Sequence, residues 1–391
     1  MTIEVEGEPM KILHMSDLHI GKKVNEFSML EDQKYILNQT LQVIDDHNID
    51  CILLCGDIYD RNIPPIEAVK VLDRFLSELH TRNLPVLMIG GNHDSADRLN
   101  FGQEIFKDSN IYISARYTGQ IQTITLEDQF GELVFHLLPF VKPVYVNHIL
   151  GSEATSYEEA VQAILNIHTV DTNKRNVVLA HQFVSASNKE PELSESETKS
   201  LGGIDNVDIR IFKDFDYVAL GHIHKPQAMG SKYIRYSGSP LKYSFSEANI
   251  DKTLTIIDYQ EKGNIQLDFV KLSPLHDMVL FESTIQEILD KKTLHNYPSN
   301  NYVAITLTDE EEIIDAIGKV RSIYPNVMMI SFKNRRSENV QKRIVLSQQE
   351  IYEHTPIELF EKFYEWQNNS ELTKSQQDIL TTIIEKAGED S

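Results

Sequence analysis

A short apolar strand that ends in a carboxylate constrains this chain more than any other feature. Cys51 to Cys55 is predicted to be a buried β-strand, and it stops at Gly56, which delivers Asp57 into a loop. A side chain in that position is held by a rigid strand and is still open to a ligand. A lone Gly-Asp pair is also an ordinary turn, so Asp57 alone does not define a site.

Four other apolar, strand-like segments end in the same way, with oxygen or nitrogen donors. They add these candidates to Asp57: Asp17, His19, Asn92, His93, Asp94, His181, His222 and His224. Each of these residues alone has a structural explanation, such as a helix cap, a turn or a buried histidine. Their joint placement after strands favours a single site. His14, His136 and His168 fall within strands or helices and are assigned structural roles.

Hydrophobic periodicity predicts the scaffold of this site. Strands at 11–16, 51–55 and 85–89 alternate with helices at 27–47 and 64–79, which is the pattern of a parallel, doubly wound α/β sheet. Such sheets bind ligands beyond the carboxyl ends of their strands. Further strands are predicted at 121–126, 133–138, 177–180 and 217–220, then at 233–236, 252–259 and 265–272 in a second sheet.

Two other segments complete the predicted scaffold. Tyr157–Ile167 has the periodicity of a helix. Residues 185–200 are polar and acidic without an apolar period, which predicts a loop beside the site.

Changes in composition divide the chain into parts. The predicted parts are a frayed extension at 1–9, a large α/β domain at 10–273, a small α/β capping domain at 274–340, and a linker with terminal helices at 341–391. The two terminal helices, begun by Thr355 and Thr373, are amphipathic and rich in bulky apolar residues. Helices this short bury their apolar faces somewhere, either on the body of the protein or on a partner.

Charge and cysteine content limit the possible functions. The formal net charge of −22 argues against autonomous, tight binding to nucleic acid, because phosphate contacts need lysine and arginine. Metal ions and a basic partner would still permit a nucleic-acid substrate. Cys51 and Cys55 lie too far apart on one strand for a disulfide, which indicates a reducing compartment, the cytoplasm. No apolar run is long enough to span a bilayer.

The candidate donors indicate a particular chemistry. Carboxylate, imidazole and amide ligands without thiolate suit Mn²⁺, Fe²⁺ or Zn²⁺. Two such ions need a bridging carboxylate, for which Asp57 is the candidate, and can activate water for a phosphoryl displacement. His93 would then be a general acid that binds no metal, with the adjacent Asp94 orienting its ring. The chain has no Gly-x-x-x-x-Gly-Lys loop and so is not itself a P-loop ATPase.

These motifs resemble those of a known family. Asp17-x-His19, Gly56-Asp57, Gly91-Asn92-His93-Asp94, His181 and Gly221-His222-x-His224 match, in order, the calcineurin-like metallophosphoesterase superfamily. Met15–Gly21, Leu220–Gln227 and Tyr236–Leu241 resemble its double-strand-break repair nucleases more specifically. The resemblance covers about residues 10–272 and implies two packed mixed sheets flanked by helices.

The resemblance also implies roles for the candidate residues. Asp17, His19, Asp57 and His224 would hold one ion; Asp57, Asn92, His181 and His222 would hold the other; His93 would be the catalytic histidine. The ions would be Mn²⁺. Asp60 stands where eukaryotic and archaeal relatives have a histidine, so no role is transferred to it.

By resemblance, the activity is DNA hydrolysis in repair, replication and recombination. It comprises a 3′-to-5′ exonuclease on duplex ends and an endonuclease on hairpins and single strands. The terminal helices would dock on a coiled-coil ATPase, with the complex at the nucleoid. Ile66–Leu79 and Ala96–Phe106 would pair two copies as a homodimer within a heterotetramer, unless their apolar faces only cover the sheet. The alternatives are a small-molecule phosphodiesterase and a non-catalytic scaffold, although a scaffold is expected to have lost a ligand.

Overall fold

The computed structural model describes residues 2–4, 9–186, 189–197, 205–311 and 313–333, together with isolated positions between 358 and 380. The strands of these residues are β1 Thr2–Glu4, β2 Met10–Met15, β3 Lys23–Val24, β4 Phe27–Ser28, β5 Cys51–Cys55, β6 Val86–Ile89, β7 Ile111–Ser114, β8 Gln122–Asp128, β9 Gly131–Leu138, β10 Arg175–His181, β11 Phe183–Ser185, β12 Asn206–Asp208, β13 Tyr217–Gly221, β14 Gln227–Met229, β15 Ser231–Tyr236, β16 Thr253–Tyr259, β17 Ile265–Lys271, β18 Met278–Ser283, β19 Tyr302–Leu307 and β20 Val327–Phe332. The helices are α1 Leu30–His47, α2 Ile66–Thr81, α3 Ala96–Leu99, α4 Gln103–Lys107, α5 Pro143–Leu150, α6 Tyr157–Ile167, α7 Ile285–Leu289 and α8 Ala316–Arg321.

The first large sheet has the strand order β17-β16-β2-β5-β6-β7. Strands β2, β5, β6 and β7 are parallel, which confirms the doubly wound core predicted for the N-terminal part. The prediction that 252–259 and 265–272 belong to a second sheet is wrong. Strand β16 pairs antiparallel with β2, with Ile256 opposite Leu13, and β17 then pairs with β16. An unpaired edge of β2 would leave backbone groups unsatisfied, and the hairpin covers it.

The second large sheet has the order β1-β8-β9-β10-β13-β15-β14. Its central strands β9, β10, β13 and β15 are parallel, and β14 returns antiparallel at one edge. At the other edge, Thr2–Glu4 pairs in parallel with β8. The expectation of a frayed extension is therefore wrong for residues 2–4, because they complete a sheet edge.

The two large sheets pack face to face, and helices cover the outer faces. Because side chains alternate along a strand, Leu53 of β5 enters the core between the sheets with Phe135 of β9. The neighbouring Ile52 and Leu54 point the other way, into the layer that contains helices α1 and α2. Helix α6 packs on the outer face of the second sheet through Ile164. Cys51 and Cys55 are buried, free cysteines, as the sequence predicted.

The region after Ser273 begins with a small three-stranded sheet of order β18-β19-β20. It is anchored to helix α1, because the Tyr302 hydroxyl donates to the buried Asp32 carboxylate at 2.7 Å. His276 also contacts Asp32, through its Nδ1 atom at 3.0 Å. The three strands and helix α8 give this region mixed α/β structure.

The chain separates into two compact units, 1–305 with 316–330 and 306–315 with 331–391. Within the second unit, the Gln376 side chain donates to the Tyr364 hydroxyl at 2.9 Å. The linker and most of the two predicted terminal helices lie outside the described residues. Within the described residues, no helix has the length and apolar character needed to cross a membrane.

We expect the buried ion pair between Arg175 and Asp128 to be important for stability. Arg175 donates to both oxygens of Asp128 at 2.6 and 3.1 Å and to the Tyr259 carbonyl at 3.0 Å, which links the two sheets. Arg175→Met should lower the free energy of unfolding by about 3–5 kcal/mol, because it leaves a buried, unpaired carboxylate. Urea unfolding followed by circular dichroism measures the change. The double variant Arg175→Met, Asp128→Leu should recover part of the loss; a double variant less stable than the single one would contradict this explanation.

Candidate metal centre

The predicted site residues converge where the strands of both large sheets end. Asp17 follows β2, Asp57 follows β5, and Asn92 follows β6 of the first sheet. His181 ends β10 and His222 follows β13 of the second sheet. The site therefore lies at a shared edge of the sandwich, as expected for donors that follow parallel strands.

Four site residues have an unusual backbone conformation. The φ angles of Asp17, His19, Asp57 and His222 are 53°, 43°, 49° and 100°, a region that non-glycine residues rarely adopt. Each such residue costs on the order of 1–3 kcal/mol and persists only where the surrounding structure holds it. Here the Asp17 amide donates to the Gly56 carbonyl at 3.0 Å, and the His19 amide donates to the Asp57 carbonyl at 2.9 Å.

Three glycines leave room for the site. A Cβ atom at Gly91 would lie 2.2 Å from Oδ1 of Asp57, and one at Gly56 would lie 2.3 Å from Nδ1 of His181. A Cβ atom at Gly221 would lie 1.9 Å from the Cys55 carbonyl oxygen. Any side chain at these positions would push the donors apart, so the glycines beside the predicted ligands are required by close packing.

The Asp57 carboxylate occupies the middle of the site. Its Oδ2 atom lies 3.3 Å from Nε2 of His181 and 3.7 Å from Nε2 of His19. Its Oδ1 atom accepts a hydrogen bond from the His93 amide at 2.8 Å. A carboxylate between two separate histidines has the position that a bridging ligand requires.

A donor cluster lies on each side of Asp57. On one side, Asp17, His19 and His224 have donor atoms within 4.8 Å of one another, and the two Nε2 atoms face each other at 3.1 Å. On the other side, Oδ1 of Asn92 lies 3.1 Å from Nε2 of His181 and 2.9 Å from Nδ1 of His222. The structure thus brings together the seven residues that were predicted as ligands: Asp17, His19, Asp57, Asn92, His181, His222 and His224.

The protonation of the histidines suits metal binding. Burial lowers the pKa of His19 to about 3 and that of His222 to about 4, and it holds the pKa of His224 well below its usual value. Neutral imidazole is the form that binds a metal ion. Nδ1 of His181 lies 2.8 Å from the Cys55 carbonyl, so Nδ1 keeps its proton and Nε2 is the atom that would release a proton to bind a metal ion.

The carboxylates of the site need a compensating positive charge. Burial, reinforced by the charge of Asp57, raises the pKa of Asp17 to about 7. Burial alone would lower the pKa of His181, but the carboxylates of Asp57 and Asp17 outweigh it and raise that pKa to about 9. Two buried carboxylates surrounded by imidazole and amide donors, without thiolate, fit divalent metal ions.

His93 and Asp94 have different surroundings from those predicted. Asp94 does not orient the His93 ring; its carboxylate accepts backbone hydrogen bonds from Ile58, Tyr59 and Gly91 at 2.9–3.1 Å. Nδ1 of the ring lies 2.9 Å from the Asp60 carbonyl oxygen instead. Adjacent side chains of an irregular loop diverge, which explains the error. A His93 ring nitrogen also lies within 4.8 Å of donor atoms of His19 and Asp57, so its proposed role as a non-ligand acid stays a prediction.

The groups that hold His224 are not evident from the sequence. Nδ1 of His224 lies 2.8 Å from the Ser196 hydroxyl, which in turn donates to Glu247 at 2.9 Å. Glu247 is fully buried and paired with Lys252, whose Nζ also donates to the His224 carbonyl at 2.8 Å. The acidic loop at 185–200 was predicted beside the site, but nothing in its sequence singles out Ser196 as the contact.

The histidines assigned structural roles do lie outside the centre. His14 is buried between the sheets, with its ring nitrogens 3.1 Å from the Tyr217 hydroxyl and 3.2 Å from the Leu220 carbonyl. His136 and His168 contact each other at 2.7 Å, and His136 also contacts Asn176.

A two-sheet sandwich with this donor set defines a metal-dependent phosphoesterase. The family profile described as calcineurin-like phosphoesterase matches residues 10–226, and a profile described as type 5 capsule protein repressor C-terminal domain matches residues 274–368. The chain is 31% identical to the SbcD subunit of the nuclease SbcCD from Staphylococcus epidermidis, over 97% of this chain and 100% of that protein. It is 29% identical to the protein of the same name from Staphylococcus saprophyticus, over 96% and 99% of the two chains.

The chain therefore belongs to the calcineurin-like phosphoesterases and, among them, to the family of the SbcD nuclease subunits. It is a metal-dependent hydrolase. Crystal structures of a dimetal phosphatase from Danio rerio and of a protein from Thermus thermophilus are also similar. Their TM-scores are 0.40 and 0.39 and their identities 12% and 11%; they cover 68% and 67% of this chain and 98% and 99% of their own.

We expect Ser196→Ala to weaken metal binding. The variant removes the contact that fixes the His224 ring, so metal affinity should fall about 10- to 100-fold. Isothermal titration of the metal-free protein with Mn²⁺ measures the affinity directly. Ser196→Thr keeps the hydroxyl and should restore most of it; equal affinities for the wild type and Ser196→Ala would contradict the positioning role.

Proposed function

We propose that this chain is the DNA-cleaving subunit of an SbcCD-type nuclease. It would act as a 3′-to-5′ exonuclease on duplex ends and as an endonuclease on hairpins and single strands. The observation that carries the proposal is the position of the Asp57 carboxylate, 3.3 Å from His181 and 3.7 Å from His19, between two donor clusters. The staphylococcal relatives, which are nuclease subunits by name, give the substrate class.

The seven candidate ligands would hold two metal ions. One ion would be held by Asp17, His19, Asp57 and His224, and the other by Asp57, Asn92, His181 and His222. When bound, the ions supply an activated hydroxide and neutralise the charge on the scissile phosphate. We propose Mn²⁺ for both positions, as the resemblance implies, and the mixed oxygen and imidazole donors are compatible with it.

His93 would give its proton to the leaving oxygen. Its side chain is in the wall of the cleft that contains Asp57 and His222. The contact between Nδ1 and the Asp60 carbonyl holds the ring and leaves Nε2 to face the substrate. Asp94 would act indirectly, because its three backbone hydrogen bonds fix the loop that carries His93.

A partner protein would supply the positive surface for DNA and the P-loop that this acidic chain lacks. With a net charge of −22, the protein has little positive surface of its own for DNA, and it has no P-loop. We propose that it assembles with the coiled-coil ATPase SbcC, at the nucleoid in the cytoplasm. The nuclease domain would be 10–273 and the capping domain 274–340. Residues 341–391 would dock on the ATPase by placing amphipathic helices in an apolar groove.

A homodimer within a heterotetramer is also part of the proposal. Ile66 of α2 is 73% exposed, and Phe101 and Ile105, in and beside α4, are 80% and 73% exposed. Large apolar side chains grouped on a surface favour an interface between proteins. The segment Ala96–Phe106 contributes two short helices, α3 and α4, rather than one continuous helix.

Mn²⁺-dependent cleavage of labelled duplex and hairpin DNA, compared with bis(4-nitrophenyl) phosphate, tests the nuclease function. We expect the wild type to cleave DNA and Asp57→Ala to lose both metals and activity.

His93→Ala should keep its metals and its DNA affinity but turn over about 10²- to 10⁴-fold more slowly, because a general acid is removed. Elemental analysis gives the metal content. Loss of metal in His93→Ala would show that His93 is a ligand, and a wild type that cleaves only the small diester would reject the function.

Deletion of Thr355–Ser391 tests the docking role of the chain end. The truncated protein should keep its metal content and basal nuclease activity, because every residue of the metal centre lies before residue 250. It should no longer co-purify with SbcC or respond to ATP. Undiminished affinity of the truncated chain for SbcC would place the docking surface elsewhere.

A further inference from the structure

A second cavity adjoins the cleft that contains the metal centre. That cleft, here called the metal cleft, has a volume of about 380 Å³ and includes Asp57 and His222 in its wall. The second, here called the side cavity, has a volume of about 580 Å³. Asn92, Phe140 and Lys142 line both. A chain-like substrate with one phosphodiester at the metals would pass these three shared residues to reach the side cavity.

Lys142, which lines both cavities, differs in charge from the other described residues of the metal cleft. Among the described residues it is the only lysine or arginine in the wall of the metal cleft, which also carries the carboxylates of Glu197 and Asp205. The side chain is exposed, and its ammonium group makes no ion pair or hydrogen bond with any described residue.

Arg116, which lines the side cavity, is already neutralised, because it pairs with Asp97 at 2.9 Å. A cation that pairs with no described residue, beside a buried, acidic metal centre, is placed to attract a second anion.

The backbone around Lys142 is fixed relative to the metal centre. The Phe140 amide donates to the Gly90 carbonyl at 2.9 Å, two residues before Asn92. The Lys142 carbonyl accepts the first hydrogen bond of helix α5, from Tyr145, at 3.0 Å. The point from which the lysine side chain extends is therefore held by the same loop that carries Asn92 and His93.

The side cavity also offers an aromatic surface. Tyr145 lines it and is 63% exposed, so its ring is accessible to a ligand. Stacking of a base on an aromatic ring is a common, sequence-tolerant contact in the binding of single-stranded nucleic acid. The Lys142 ammonium group and an accessible aromatic ring together suit a nucleotide, which presents a phosphate and a base.

We propose that Lys142 binds the phosphate next to the scissile phosphate and that the side cavity holds the nucleotide attached to it, with its base on Tyr145. The assignment rests on the proposed nuclease function and specifies how the strand lies in the site. Lys142 is a binding residue here and takes no part in the bond cleavage. A small diester that has only one phosphate would make no use of it.

Steady-state kinetics with two substrates test the assignment in the full-length protein loaded with Mn²⁺. Lys142→Ala should raise KM for a single-stranded oligonucleotide about tenfold, which is typical for the loss of one hydrogen bond to a charged group. Hydrolysis of bis(4-nitrophenyl) phosphate should be unchanged. The slope of log affinity against log salt should decrease in magnitude by about 0.7, the value for one contact with a single strand.

Matched variants separate this contact from general charge effects. Lys142→Arg should retain the wild-type KM, and Lys213→Ala removes an exposed lysine outside both cavities and should change nothing. Tyr145→Ala should weaken oligonucleotide binding about tenfold, whereas Tyr145→Phe should not.

Three results would overturn the assignment. Unchanged oligonucleotide kinetics in Lys142→Ala would overturn it alone, and an equal loss with both substrates would place Lys142 at the scissile phosphate instead. A wild type that hydrolyses the small diester but no DNA would overturn the proposed function together with this assignment.

Discussion

The burial of the Asp57 carboxylate is the constraint on which the rest of this structure depends. A charged group out of water is costly unless it is paired and hydrogen-bonded. Here the compensation comes from His181 at 3.3 Å and from the His93 amide at 2.8 Å, and it would be completed by metal ions. The Gly91 position lacks a side chain because a Cβ atom there would lie 2.2 Å from the same carboxylate. The loops after β5 and β6 and the end of β10 are thus shaped around a single group.

The sandwich of two sheets makes this arrangement possible. Asp17 and Asp57 come from the first sheet, and His181 and His222 come from the second, so neither sheet alone could build the site. The buried apolar layer between the sheets sets their spacing, and close packing transmits small displacements to the donors. The left-handed backbone of the site residues is a local cost that this large core offsets.

The distribution of charge is a further constraint on the metal centre. An acidic chain that acts on a polyanion must concentrate positive charge where the reaction takes place, because repulsion prevails elsewhere. Metal ions between Asp17 and Asp57 would supply most of that charge, and Lys142, which pairs with no described residue, adds a cation in the wall of the cleft. The buried pair of Glu247 and Lys252 serves a different purpose, because it holds Ser196 against His224 and never meets solvent.

The sequence by itself determined the central strands of the first sheet and the nine candidate site residues, because both depend on local patterns, whereas the choice of seven of them as ligands came from the resemblance. An apolar run that ends at glycine and a donor can be recognised without knowing what lies across the fold. The sheet partner of β16, the strand at Thr2–Glu4 and the contacts of His93 and His224 were decided only by the tertiary structure. They join residues far apart in the chain, such as His224 with Ser196 and Glu247, or β2 with β16. Which strands and side chains pair across such distances depends on the edges and cavities that the folded core leaves open. Local sequence patterns do not encode these pairings.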